Sequence, residues 1–169
     1  MTSMETKPSD LSVRAVTETD IREFVTWEYE PPYDHYKITG PVEEAVEYFL
    51  RPSTNCHVLM SDGELVAFFT FGADARVPGG DYSAPGLDIG MGLKPSLTGR
   101  GRGRSYVAGV IQFARETLDF EPLRVTIATH NQRAIRVWSG LGFTETQRFQ
   151  PTKTVLGSDA FVILESRTD

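Results

Sequence analysis

Six consecutive residues carry the clearest chemistry in the chain. Gly99, Gly101 and Gly103 alternate with Arg100, Arg102 and Arg104. Before them lies a run with apolar residues at every second position, Leu87, Ile89, Met91 and Leu93, and after them Val107, Val110, Ile111, Ala114 and Leu118 recur at helical spacing. The first pattern predicts a strand and the second an amphipathic helix. Pro95 ends the strand, because proline has no N–H to give a ladder. A glycine turn that opens a helix presents free backbone N–H groups at the positive end of the helix dipole. Glycines let a bulky anion approach and the arginines add charge, so the expected ligand is a phosphate or a pyrophosphate. The dinucleotide fingerprint G-x-G-x-x-G does not fit, since its last position falls on Arg104 or Tyr106, and the P-loop ending G-K-[ST] has no lysine to supply it. A strand–helix turn without any ligand is the plain alternative.

The rest of the chain bounds what that turn can serve. With 169 residues it is long enough for one domain with a real core and too short for two. At 40% hydrophobic and 24% charged residues it has the composition of a globular protein. A net charge of −6 argues against general nucleic-acid binding and makes the Gly–Arg run a local positive site in an acidic body. The run is also too short, and too tightly framed by a strand and a helix, for a disordered arginine–glycine tract. The single cysteine, Cys56, lies beside Val58 and Leu59 and reads as a buried side chain. One cysteine allows no internal disulfide, which fits a cytoplasmic setting. No apolar run approaches the roughly 18 residues of a membrane span, and the first ten residues lack the apolar core of a signal peptide. Residues 1–9 read as a flexible tail and residues 10–169 as a single domain.

Taken in order, Leu11–Val16 alternates as a strand, and Thr17 with Asp20 resembles a capping box for a helix from about Asp20 to Trp27. The segment Trp27–Tyr36 holds two prolines, which forbid a continuing helix, together with Tyr29, Tyr33 and Tyr36 and the acids Glu28, Glu30 and Asp34. It reads equally as a wall for a cationic amine and as a rigid cover over the core. A helix then follows Gly40-Pro41, and a hairpin runs from Cys56 to Phe71 around Asp62-Gly63. Residues 72–86 form a loop before the strand and helix at the glycine turn. Leu123–Thr129 is a strand, Asn131 caps a further helix, and two strands close the chain near Thr144–Phe149 and Ala160–Glu165. The order is β-α-α-β-β-β-α-β-α-β-β, a mixed α/β fold with a parallel crossover at the glycine turn.

Two segments carry a family resemblance. Thr98 to Gly103 resembles the acyl-CoA turn [Q/R]-x-x-G-x-[G/A] of the GNAT N-acetyltransferases, with Thr98 at the Q/R position. The segment ATHNQRAIRVWSGLGF resembles their N-x-x-A-[IL]-x-[LV]-Y-[EK]-x-x-G-F, matching at Asn131, Ala134, Ile135, Val137, Gly142 and Phe143. The likeness covers about residues 85–145. It implies a GNAT fold in which the strands Leu87–Leu93 and Leu123–Thr129 splay apart, and acetyl-CoA, or another acyl-CoA, as cosubstrate with no metal. The pantetheine arm would pair with Met91, Gly92 and Leu93, and the pyrophosphate would rest on Gly99, Arg100, Gly101, Arg102, Gly103 and Arg104 with Ser105 near. Asn131 would hydrogen-bond the pantetheine side. A primary amine of a small molecule or peptide would attack the thioester directly. On the reading of the 27–36 loop as a wall for a cationic amine, Glu28, Tyr29, Tyr33 and Tyr36 are the substrate-binding residues. No nucleic acid or membrane partner is implied; a homodimer follows by analogy alone.

Two proton tasks remain. Asp88, the only acid on the first splayed strand, is the preferred general base, against a structural, hydrogen-bonded Asp88 and against Glu28 and His35. His130 reads as a surface or capping residue and His57 as structural. The acid position, where the family has tyrosine, holds Trp138, whose indole N–H is no practical acid. Tyr106 and Ser139 are the nearby hydroxyls. The substitution also keeps open a second reading, an acyl-CoA-binding sensor or interaction domain with little or no catalysis.

Overall fold

A computed structural model describes residues 11–98 and 101–167. The expected tail and two members of the glycine turn, Gly99 and Arg100, lie outside the described residues. Seven strands form one sheet: β1 (Leu11–Ala15), β2 (His57–Ser61), β3 (Glu64–Phe71), β4 (Leu87–Leu93), β5 (Leu123–Ala128), β6 (Thr144–Phe149) and β7 (Phe161–Glu165). Among the described residues four α-helices join them: α1 (Glu18–Phe24), α2 (Val42–Leu50), α3 (Gly103–Leu118) and α4 (Gln132–Gly140). The chain order is the one expected from the sequence. Across the sheet the strands run β1-β2-β3-β4-β5-β7-β6, antiparallel except for β4 and β5.

Local chemistry accounts for the elements. The capping box at α1 is complete: Asp20 N–H donates to Thr17 Oγ1 at 3.3 Å, and Thr17 N–H donates to Asp20 Oδ2 at 2.8 Å. Arg14 pairs with the same carboxylate at 2.5 and 2.8 Å, so the burial of Asp20 is compensated. The box starts the helix at Glu18 rather than Asp20, and it ends at Phe24, three residues short of the expected Trp27. Thr26 and Trp27 continue in single turns, with hydrogen bonds to Glu23 and Phe24. At the β2–β3 turn, Asp62 and Gly63 take the left-handed backbone that Asp-Gly favours.

The sheet is covered on both faces. One face packs on α3 and α4 through Phe69, Ile89, Val110, Ile127 and Trp138. The other packs on α1 and α2 through Phe24, Phe49, Val58 and Leu65, with Phe24 and Phe68 stacked 4.1 Å apart. The period of two in β4 is realised here. Leu87, Ile89, Met91 and Leu93 join the α3–α4 core. Asp88, Gly90 and Gly92 face the α1–α2 side, where a Cβ on Gly92 would lie 2.3 Å from the Phe68 ring.

Candidate active site

β4 and β5 are paired only at Leu87–Ile89 against Leu123–Val125. Beyond that, β4 stays with β3 to Leu93 and β5 stays with β7 to Ala128, so the two strands part. Two hydrogen bonds fix which backbone groups enter the gap. Gly72 N–H donates to Asp88 C=O, and Lys94 N–H donates to Val66 C=O, both at 2.9 Å toward β3. Backbone groups alternate sides along a strand, so Asp88, Gly90, Gly92 and Lys94 turn toward β3, while Met91 and Leu93 turn into the gap. Of the expected trio, Met91 and Leu93 turn into the gap, while Gly92 gives its backbone to β3. On β5 the same phase, set by Leu123 and Thr129 bonding toward β7, turns Thr126 and Ala128 to the gap. Ala128 C=O there accepts Asn131 N–H at 2.9 Å.

The mouth of the gap adjoins the start of α3. Gly101 has φ +74°, in the left-handed region that glycine favours, with open space where a Cβ would point. Arg102 holds the N-cap position without a side-chain cap, and the first closing bond runs from Tyr106 N–H to Arg102 C=O at 3.2 Å. The N–H groups of Gly103, Arg104 and Ser105 therefore have no partner within the helix, the arrangement that receives an anion. Arg102, Arg104 and Ser105 are exposed, and Arg104 also donates to Gly140 C=O at 3.1 Å, tying this turn to the end of α4.

The aromatic loop closes over the gap from the other side. Tyr29 Oη donates to Leu93 C=O at 2.8 Å, occupying one of the free splay acceptors, and burial pushes its phenol up to about 12. Tyr36 Oη receives Asn131 Nδ2–H at 3.2 Å, while Asn131 Oδ1 caps α4 through Ala134 N–H at 3.2 Å. Burial raises the Tyr36 phenol, the Asn131 donor pulls it the other way, and Tyr33 adds to the rise. Tyr33 lies under the Arg133 guanidinium, 4.0 Å from its ring centre. Residues 29–36 thus span the splay, with Tyr29 on the β4 edge and Tyr33 and Tyr36 on the α4 edge. Glu28 is apart from them, exposed and 3.5 Å from Lys37.

Asp88 is not a free carboxylate. Arg124 Nε and Nη2 donate to its two oxygens at 2.9 Å each, and Arg76 Nε donates to Oδ2 at 2.8 Å. Both Asp88 and Arg124 side chains are 2% exposed. Arg124 also donates to Ala84 C=O at 2.7 Å, and with Arg76 it brackets the Tyr82 ring, each 5.5 Å from its centre. The bond to Asp88 raises the Arg124 guanidinium further, against the effect of burial. A carboxylate saturated in this way anchors the 72–86 loop to β4 and β5, and this geometry favours the structural reading of Asp88 over the general base.

Trp138 is likewise a core residue, 4% exposed and packed edge-on against Phe143 at 5.0 Å. Tyr106 is buried in the same core at 2% exposure, and Ser139 is exposed. His57 packs among Phe69, Phe71 and Phe113, as a structural histidine would. His35 lies against Gly157, where a Cβ would fall 2.4 Å from the ring. His130 stands beside Tyr36, with ring centres 6.1 Å apart. Its Nε2 lies 3.4 Å from Leu156 C=O, and its Nδ1 is buried without a hydrogen-bond partner.

Two features escaped the sequence. Arg124 sits in a β-branched strand where its pairing with Asp88 depends on register between distant strands. Asp74 lies in the loop after β3, where Tyr48 Oη and Thr70 Oγ1 both donate to its carboxylate. No motif marks either. The one signal for Asp74 was an acid soon after a long apolar strand that leads to the splayed strand.

Comparison with known proteins closes the assignment of the fold. A chimera of the spermidine N-acetyltransferase SpeG from Vibrio cholerae with hSSAT is 15% identical, with a TM-score of 0.74 over 94% of this chain and 95% of that one. AAC(6')-Ib, solved with ribostamycin and coenzyme A, is 16% identical with a TM-score of 0.73 over 92% of each chain. The yncA protein of Salmonella typhimurium, solved with acetyl-CoA, is 18% identical with a TM-score of 0.65 over 94% of each. No curated protein matches. At these identities the structures speak to the fold, a GNAT acetyltransferase fold. The acetyltransferase (GNAT) domain family itself matches residues 10–144, most of the chain, and the protein is therefore a member of the GNAT acetyltransferase family.

Proposed function

We propose that the protein transfers an acetyl group from acetyl-CoA to a primary amine of a cationic small molecule or peptide. The observation that carries this is the parting of β4 and β5, with the backbone of Met91 and Leu93 turned into the gap beside the uncapped start of α3. Unpaired backbone groups of this kind are costly when buried, and a strand-like pantetheine arm satisfies them. Tyr29 already occupies Leu93 C=O, so the groups left for the arm are both of Met91 and the N–H of Leu93. An N–H there also serves a thioester oxygen as negative charge builds on it. The diphosphate belongs on the N–H groups of Gly103 to Ser105, with Arg102 and Arg104 as flanking charges.

The attack itself needs mainly proximity. The amine nitrogen bonds to the thioester carbon as the carbon–sulfur bond breaks, and the sulfur must gain a proton. Trp138 cannot give it. Tyr36 is the hydroxyl best placed for this task, because Asn131, the residue expected on the pantetheine side, already holds its oxygen at 3.2 Å. The acceptor is expected to be cationic because tyrosines line the loop across the gap, and relatives of the same fold include enzymes named for spermidine and one solved with ribostamycin. Acetyl-CoA titrated into the protein with thermal melting, followed by thiol release with spermidine, ribostamycin and phosphinothricin, tests the reading. A stabilisation together with thiol release supports it. Stabilisation without release to any amine favours the acyl-CoA sensor, and no stabilisation at saturating acetyl-CoA removes the donor itself.

A further inference from the structure

Asp74 sits in a short turn, Ala73–Ala75, directly after β3. It is exposed, yet its carboxylate is held from two directions. Tyr48 of α2 donates to Oδ1, and Thr70 of β3 donates to Oδ2 at 2.6 Å. Two hydroxyls from separate elements fix a surface carboxylate in one orientation, against the side-chain entropy that normally frees it. Burial, with the charge of Asp74 adding to it, pushes the Tyr48 phenol up to about 12, so it remains a donor at any ordinary pH.

The place where Asp74 is held bears on the reaction. The turn packs on β4, and its neighbour there is Gly90, the first β4 residue beyond the stretch paired with β5. A side chain at Gly90 would place its Cβ 2.8 Å from Thr70 Oγ1 and 3.4 Å from Ala75. Asp74 therefore stands over the base of the splay, on the α1–α2 side, opposite the face covered by α3. The cations around it are engaged elsewhere. Arg76, two residues on, gives its guanidinium to Asp88 at 2.8 Å. Arg51 lies 5.8 Å over the Tyr48 ring and pairs with Glu47 at 3.4 Å. Among the described residues no lysine or arginine pairs with Asp74. Tyr48 also lines an open cavity of about 450 Å³, where the charges of Glu44, Glu47 and Arg51 leave one net negative charge.

Resting on the acetyltransferase reading above, we propose that Asp74 receives the ammonium group of the acceptor amine and takes a proton from it as it attacks. The acceptor class is then a primary alkylammonium. The balance is simple. Of the three ammonium protons, one stays on the amide nitrogen, one passes through Asp74 to solvent and one replaces the proton that Tyr36 gives to the coenzyme sulfur. The N–C bond forms as the C–S bond breaks, and no oxidant or reductant enters. Tyr48 and Thr70 act on the reaction only by positioning the carboxylate.

The test compares wild type, Asp74→Asn and Tyr48→Phe by thiol release from acetyl-CoA with spermidine, ribostamycin and phosphinothricin, alongside acetyl-CoA binding measured by titration calorimetry. Asp74→Asn is expected to lower kcat/KM for the accepted amine about 100-fold, the scale of general-base loss, with acetyl-CoA affinity unchanged within about twofold. Tyr48→Phe is expected to lower the same constant several-fold, again without a change in acetyl-CoA affinity. If wild type acetylates an amine and Asp74→Asn does so equally well, the role of Asp74 is overturned while the acetyltransferase reading stands. An Asp74→Asn loss accompanied by an equal loss of acetyl-CoA affinity also overturns it, because the residue then supports the fold of the donor site. If wild type binds acetyl-CoA and releases thiol to none of the three amines, the acetyltransferase reading falls and this role with it.

Discussion

Asp88 and Arg124 face each other across the paired rungs of β4 and β5, joined by two hydrogen bonds of 2.9 Å, and one rung later the strands separate. A buried, bidentate ion pair at that point fixes where the splay begins. Removing one partner strands the other charge in the interior, which costs about 3–5 kcal/mol. Asp88→Asn should therefore lower the urea midpoint by that equivalent and raise KM for acetyl-CoA, while the shape of the rate–pH profile stays as in wild type. A variant of native stability with an altered pH profile would return the base role to Asp88.

Trp138 should prove a packing residue. Its ring is 4% exposed against Phe143, so truncation to alanine should cost about 3–5 kcal/mol as cavity and lost burial. Trp138→Tyr tests the chemistry separately, because it restores the residue usual in the family. If the phenol stays in the core, kcat should remain within about twofold of wild type while stability falls. A large gain in kcat would mean that the position reaches the sulfur after all.

Much of this architecture was legible from local rules. The period of two in β4, the capping box at Thr17 and Asp20, and the Asp-Gly turn each depend on neighbours in sequence, and each appears where expected. Asp88 shows where such rules stop. An acid on an apolar strand is either functional or paired, and its partners, Arg124 and Arg76, lie 36 and 12 residues away. Gly92 shows the same limit more finely, since only the hydrogen-bond phase against β3 reveals that its backbone turns away from the gap. The composition of their loop points to Tyr29 and Tyr36 as substrate residues, but their contacts with Leu93 and Asn131 are tertiary. Their placement across the splay could not have been read from spacing.

The start of α3 makes a prediction with a salt signature. Arg102 and Arg104 are exposed, and their contribution to diphosphate binding should be screened within about 10 Å at 0.1 M salt. Arg102→Ala should raise KM for acetyl-CoA several-fold at low salt and less at 0.5 M, with kcat unchanged. Gly101→Ala should raise KM at both salt concentrations, since φ of +74° strains any L side chain there. Equal effects of the two variants at both salts would mean that charge is not what Arg102 supplies.

Tyr36 carries the expectation for the leaving thiolate. Tyr36→Phe removes the hydroxyl and leaves the ring beside His130, so the loop should keep its packing. The expected result is a loss of kcat of about 100-fold, with KM for acetyl-CoA little changed and the solvent isotope effect on kcat abolished. An unchanged isotope effect would place the proton donor elsewhere.

The pH dependence of stability follows from Cys56, Tyr29, Tyr48 and Asp20. Burial, followed by the charges of Asp74 and Asp20, pushes the Cys56 thiol from an ordinary 9.0 up to about 12. Tyr29 and Tyr48 rise from 10.0 to about 12, both chiefly by burial. In each case the folded state favours the neutral form. Their stabilisation is complete below the unfolded value and is lost as pH rises toward the folded one, first through Cys56 above about pH 9 and then through the tyrosines above about pH 10. Asp20 has the opposite sign. Burial pushes its carboxyl up, but the hydrogen bonds from Arg14 and Thr17 outweigh this and hold it below 3.8. Its contribution is present above that value and fades as pH falls through the folded one. Urea midpoints should thus be flat from about pH 6 to 8.5 and decline on both sides. Cys56→Ala should delay the alkaline decline, and Asp20→Asn should flatten the acid one. At pH 8 the native thiol should resist a disulfide reagent that reacts fully in urea, and rapid labelling of the folded protein would show that Cys56 is not held in the core.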